Sequence, residues 1–160
     1  MRKLVIIVLS LAMMMSIATP ASAVPNPGPP DLPGPYANYL NAVAKDIGHV
    51  GTKLNALFLA HPPDPGAPLP KAFINRLGAI TNQLDELHGR LVRNNPGPIT
   101  DPAVIAALVA IRSGAEGILA SVDGAPIPEP APPEINDALL DVIIGAEAII
   151  LQCDTLLGGG

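Results

Sequence analysis

Apolar residues recur along this chain in four blocks, each stepping by three and four so that one side of a helix stays apolar. From about Tyr36 to Ala60 the stripe is Leu40, Val43, Ile47, Val50, Leu54 and Leu57. From Lys71 to Arg93 it is Phe73, Leu77, Ile80, Leu84, Leu87 and Leu91. From Ala103 to Val122 it is Val104, Leu108, Ile111, Ala115, Ile118 and Val122. From Glu134 to Leu157 it is Ile135, Leu139, Val142, Ala146, Ile149, Cys153 and Leu156. No block alternates with the period of two that a half-buried strand requires. The pattern predicts four helices and an all-α fold.

None of the 20 prolines falls inside these blocks. Proline removes a helical hydrogen bond and favours extended chain, so Pro62–Pro70, Asn94–Pro102 and Gly124–Pro133 read as linkers. Asp101 before Pro102 marks a helix start, and Gly158 follows the last stripe. A helix of this size is about 36 Å long, whereas an extended linker of this size reaches about 28 Å. A linker therefore cannot easily run back along a whole helix, and successive helices are expected to be antiparallel neighbours. The fold expected over residues 36–157 is an antiparallel up-down-up-down four-helix bundle with Pro-rich linkers.

The blocks also resemble one another. A shift of 31 residues lays the second stripe on the third, and Gly114-Ala115-Glu116 on Gly145-Ala146-Glu147. A shift of 30 lays Val43, Ile47, Gly48 and Val50 on Phe73, Leu77, Gly78 and Ile80. Such a period suits a helical repeat array and equally the equal legs of a bundle.

Residues 1–23 read as a cleaved signal peptide. Arg2 and Lys3 precede an apolar core from Leu4 to Ile17, which is short for a membrane span, and Ala21-Ser22-Ala23 supplies a small-residue cleavage site. The mature chain would begin at Val24 with a Pro-rich, disordered tail to Pro35, and would end in a Gly158–Gly160 tail. No cysteine follows the cleavage site, so lipid attachment is not indicated. This pattern places the protein outside the cytoplasm, secreted or periplasmic, with no integral membrane span after cleavage.

Composition narrows the core. Hydrophobic residues make up 49% of the chain, but only two Phe, two Tyr and no Trp are present, so the core must be aliphatic. The single cysteine cannot form an intramolecular disulfide, which leaves helix packing to supply stability. From Val24 to Thr100 six basic residues face five acidic ones; from Asp101 onward Arg112 alone faces nine acids. The acidic half argues against nucleic acid or anionic lipid as a partner, and it keeps an apolar chain soluble.

The fourth block is apolar beyond its stripe. Ile143, Ile150 and Leu157 fall at e positions and Leu140, Ile144 and Leu151 lie further round, leaving a narrow polar strip of Asp141, Glu147 and Asp154. This helix is either the most buried of the four or a face for a protein partner or a homodimer, through Ile143, Ile150 and Leu157.

Candidate chemistry is sparse. Asp46-x-x-His49 and Asp85-x-x-His88, with Glu116 and Glu147 at equivalent places in the last two blocks, resemble the ligand inventory of a di-metal carboxylate bundle. Their facing is wrong: Asp46 sits at g, His49 at c, Glu116 and Glu147 at b, all away from the apolar seam. Asp also replaces Glu in both pairs. Ordinary solvent-facing residues account for all six, so no metal site is assigned. Cys153 lies on the core stripe as a small hydrophobe, without a histidine partner in its block. His61, at the end of the first block, suits a helix C-terminus. No phosphate-cradling loop, haem-attachment motif or nucleophile elbow occurs.

No a or d position is charged, which argues against catalysis inside the bundle. The sequence points to an exported, non-enzymatic protein with no cofactor and a structural or protein-interaction role in the cell envelope or extracellular space. The alternative is a carrier for an apolar small molecule, with Gly48, Gly78, Gly114, Gly117 and Gly145 either leaving room for it or letting helices approach closely. A carrier requires an internal cavity; an interaction module requires a filled core and an exposed apolar patch near the fourth block.

Overall fold

A computed structural model of the chain describes residues 34–60, 71–94, 99–127 and 131–158. The leader, most of the Pro-rich tail, His61 with the first linker, and the last two glycines lie outside the described residues. Four helices are present: α1 (Pro35–Ala60), α2 (Lys71–Arg93), α3 (Pro102–Asp123) and α4 (Pro133–Gly158). They form an all-α four-helix bundle, with no strand among the described residues.

Helix limits follow the local chemistry. Asp101 is the N-cap of α3: its Oδ1 accepts a hydrogen bond from the Ala103 amide at 2.8 Å, and Pro102 opens the helix where no amide is needed. Gly124 closes α3, its amide donating to the Ala120 carbonyl at 3.0 Å. Gly158 is still helical and completes α4 rather than beginning the tail.

The stripes become the core. Every stripe residue is buried except Val122 and Leu139, which are partly buried against the same cluster. Ala37, Phe58 and Ala107 join them. No polar or charged side chain is buried among the described residues, so burial here carries no desolvation cost. Ile99, Ala125 and Ile127, from the connections, pack against the core as well.

Helix directions alternate. Asp46 pairs with Arg90, Lys53 with Gln83 and Phe58 with Phe73, so α1 and α2 are antiparallel. Gly114 lies against Ile47 and Gly51 against Ile118, so α1 and α3 are parallel. Gly145 of α4 meets Leu84, near the level of Lys53–Gln83, whereas Arg112, earlier in α3, meets Asp154, later in α4. Hence α4 runs against α3 and along α2.

Neighbour order differs from the expectation that successive helices touch. α1 packs on α2 and α3, and α4 packs on α2 and α3, whereas α2 and α3 face each other across the diagonal. The ends of α2 and α3 that follow one another in the chain therefore lie diagonally opposite. Helix axes 8–10 Å apart give a diagonal of about 14 Å, well within the reach of a short linker. Linker length constrains direction but not adjacency.

Candidate functional site

The seam between α1 and α2 is the most open of the four. At one end it is tied by side chains. Tyr36 donates to the Asn94 carbonyl at 2.7 Å and Tyr39 to the Arg90 carbonyl at 3.1 Å. The Asn94 amide donates to both Tyr39 Oη and the Arg90 carbonyl, each at 2.9 Å. These bonds occupy carbonyls near the C-terminus of α2 that have no partner within the helix. Arg90 lies 5.6 Å from the Tyr39 ring centre and donates to Asp46 Oδ2 at 2.9 Å. The Asp46 hydrogen bond is the main cause holding the Arg90 guanidinium above its ordinary pKa. Partial burial, then Tyr39 and Cys153, push the Tyr36 phenol upward.

Below this clamp the seam widens into two confluent hollows. One, about 230 Å³, lies between Asp46, His49, Glu86 and Arg90. The other, about 400 Å³, is floored by Ala56, Leu57, Ala60, Ala79 and Ile80, with Arg76 at its rim. Lys53 and Gln83 line both, and Lys53 Nζ donates to Gln83 Oε1 at 3.0 Å across the seam. The hollow exists because alanines occupy positions where larger side chains would meet between the helices.

The six candidate ligands do not converge. Asp46 and His49 line the polar hollow, and Asp46 is engaged by Arg90. Asp85 is exposed and His88 half-buried; by helical phase both sit on the other flank of α2. Glu116 is held by Arg112 at 2.8 Å, and Glu147 is exposed on α4. Among the described residues no three of His, Cys, Asp or Glu gather in a way that could hold a metal ion. Cys153 is fully buried, and desolvation pushes its thiol up to about 12.

The outer side of α3 and α4 is the second distinctive surface. Ile150 and Leu157 are partly buried against the core, and Ile143 is partly buried beside them. The exposed apolar side chains are their neighbours Leu140, Ile144 and Leu151 (53%, 54% and 69% exposed), joined by Ile105 and Val109 of α3. A polar fence runs among them: Arg112 bridges Glu116 and Asp154, both at 2.8 Å. By length and composition α3 is, among the described residues, the one helix that could cross a membrane. Here its apolar stripe packs into the bundle core instead.

The glycines divide in two. Gly114 and Gly145 lie where α3 meets α1 and α4 meets α2, whereas Gly48, Gly78 and Gly117 have nothing near. The tyrosine clamp and the alanine-floored hollow carry no motif; the signal available in sequence was Tyr36, Tyr39 and Asn94 at helix ends. Comparison of the chain with protein-family models, with curated proteins and with solved structures gives no match.

Proposed function

We propose that this protein is an exported, non-enzymatic interaction module whose α3–α4 outer face docks on another protein. One observation carries the reading: of the seven large apolar side chains left exposed among the described residues, five lie on α3 and α4. Scattered single exposures need no explanation, but a grouping on two adjacent helices over a well-filled core marks a contact surface. The face is fringed by Glu116, Asp137, Asp141, Glu147 and Asp154, and its one cation, Arg112, is already committed to two of those acids. The fitting partner is a protein with an apolar patch rimmed by Lys and Arg. A second copy would set acid against acid.

The leader pattern supports export, and the absence of charged groups from the core supports a role in binding rather than catalysis. The test places a photo-crosslinking residue at Ile144 or Leu151 in exporting cells, with Gly48 and Gly78 as control positions on α1 and α2. One discrete heterologous adduct is expected from α4 only, lost when Leu140 is replaced by Glu. Adducts formed equally from the controls, a self-adduct, or none at all would overturn the docking face. A mature protein not starting at Val24 would overturn the assigned cleavage site.

A further inference from the structure

We propose that the hollow between α1 and α2 binds a single-chain anionic amphiphile, a long-chain carboxylate, with its alkyl chain along the alanine floor and its head at Lys53. This does not rest on the docking face of α3 and α4, which lies on the other side of the bundle.

Shape and charge carry the argument together. A hollow of about 400 Å³ walled by five apolar residues and a few polar ones has the size and lining of a small-ligand site. It runs from Lys53 to Ala60 along α1, about 10 Å at 1.5 Å per residue, and is a trough rather than a sphere. An alkyl chain matches that form better than a ring.

The rim then selects the sign of the head group. No acidic residue lines this hollow, and both of its charged residues, Lys53 and Arg76, are cations. Neither forms an ion pair with a described residue, although the chain is net −5 overall. Lys53 Nζ spends one hydrogen on Gln83 Oε1, which leaves two for an incoming oxygen and leaves the Gln83 amide group free to donate alongside. A carboxylate is thus met by charge-assisted donors at one end of the trough while Arg76 raises the potential along it. The Asp46–Arg90 pair and Glu86 in the adjoining polar hollow keep that end hydrated, so the alkyl chain runs toward Ala60.

The test is isothermal titration calorimetry of the purified protein with dodecanoate below its micelle concentration, with dodecyltrimethylammonium as the cation of equal chain length. One-to-one binding of dodecanoate alone is expected. Ala79→Leu, which fills the trough, and Lys53→Gln, which removes the head contact, each weaken it by about tenfold or more. Both sites are exposed and both replacements are good helix formers, so the folded circular-dichroism spectrum stays unchanged. Leu151→Gln, on the opposite face, leaves binding intact. Equal binding of the two amphiphiles, no saturable binding, or affinity unaffected by Ala79→Leu overturns the proposal.

Discussion

Replacing glycine by alanine inside a helix ordinarily stabilises it, by about 1 kcal/mol. In this bundle the sign of that change should differ between two positions in α3. A Cβ on Gly117 would meet nothing within 4 Å, so Gly117→Ala should gain about 0.5–1 kcal/mol. A Cβ on Gly114 would lie 2.5 Å from Cγ2 of Ile47, far inside the 3.5–4.0 Å at which carbon atoms attract. Ile47 is fully buried, and its Cγ2 is fixed by a stiff β-branched χ1, so it cannot swing aside. Either α1 and α3 separate or Ile47 leaves its rotamer. Overpacking of this kind costs about 1–3 kcal/mol, which cancels or outweighs the propensity gain and leaves Gly114→Ala destabilised by about 0–2 kcal/mol, against a gain at Gly117. Urea unfolding of the two variants, with an unchanged m-value, reads the difference directly from the midpoints. Ile47→Leu moves the branch off Cβ and removes Cγ2, so the double variant should recover part of the loss in a double-mutant cycle. A Gly114→Ala protein as stable as Gly117→Ala, or strict additivity with Ile47→Leu, would refute the parallel close packing of α1 on α3.

Further expectations test other parts of the bundle. Leu84→Ala, at the α2–α4 contact, should cost about 2–5 kcal/mol by denaturant titration, since the residue is fully buried. The Cys153 thiol, held at about 12 against an ordinary 9.0, should resist thiol reagents in the native protein and react on unfolding. Because its folded pKa is raised, its contribution to stability is complete below pH 9.0 and declines as pH rises toward 12, so the stability difference between wild type and Cys153→Ala should change over that window. The Asp46–Arg90 pair is partly solvent-exposed and should show a coupling of about 0.5–1 kcal/mol in a double-mutant cycle, reduced by salt. Tyr36→Phe removes one hydrogen bond to the end of α2 and should cost about 0.5–1.5 kcal/mol.

How far the candidate sites were legible in sequence depends on how they are built. Asp46, His49, Asp85 and His88 share a spacing, but spacing along two helices does not place them on facing sides. Their a-to-g positions keep them off the core stripes, yet Asp46 and His49 line the hollow at the α1–α2 seam while Asp85 and His88 lie on the other flank of α2. The α1–α2 hollow depends on which flanks meet: Ala56 and Ala79 look like ordinary exposed helix residues until the two helices are laid together. Likewise Ile143, Ile150 and Leu157 against Leu140, Ile144 and Leu151 is a matter of which side α3 occupies. Two apolar rows about 100° apart on one helix look alike in sequence, and only a neighbour decides which row it covers.

The sequence by itself determined the four helices, their limits to within a residue or two, the core stripe of each and the alternation of their directions. These follow from local physics: periodic burial, proline exclusion, capping at Asp101 and the finite reach of a linker. The tertiary structure alone decided that α3 lies beside α1 rather than α2, and with it the α1–α2 hollow, the α3–α4 face and the opposite roles of Gly114 and Gly117. Four amphipathic helices of similar length can bury the same stripes in more than one neighbour order. Small packing differences choose among those orders, such as Gly114 receiving Ile47 and Gly145 receiving Leu84, and these are set by side chains far apart in the chain.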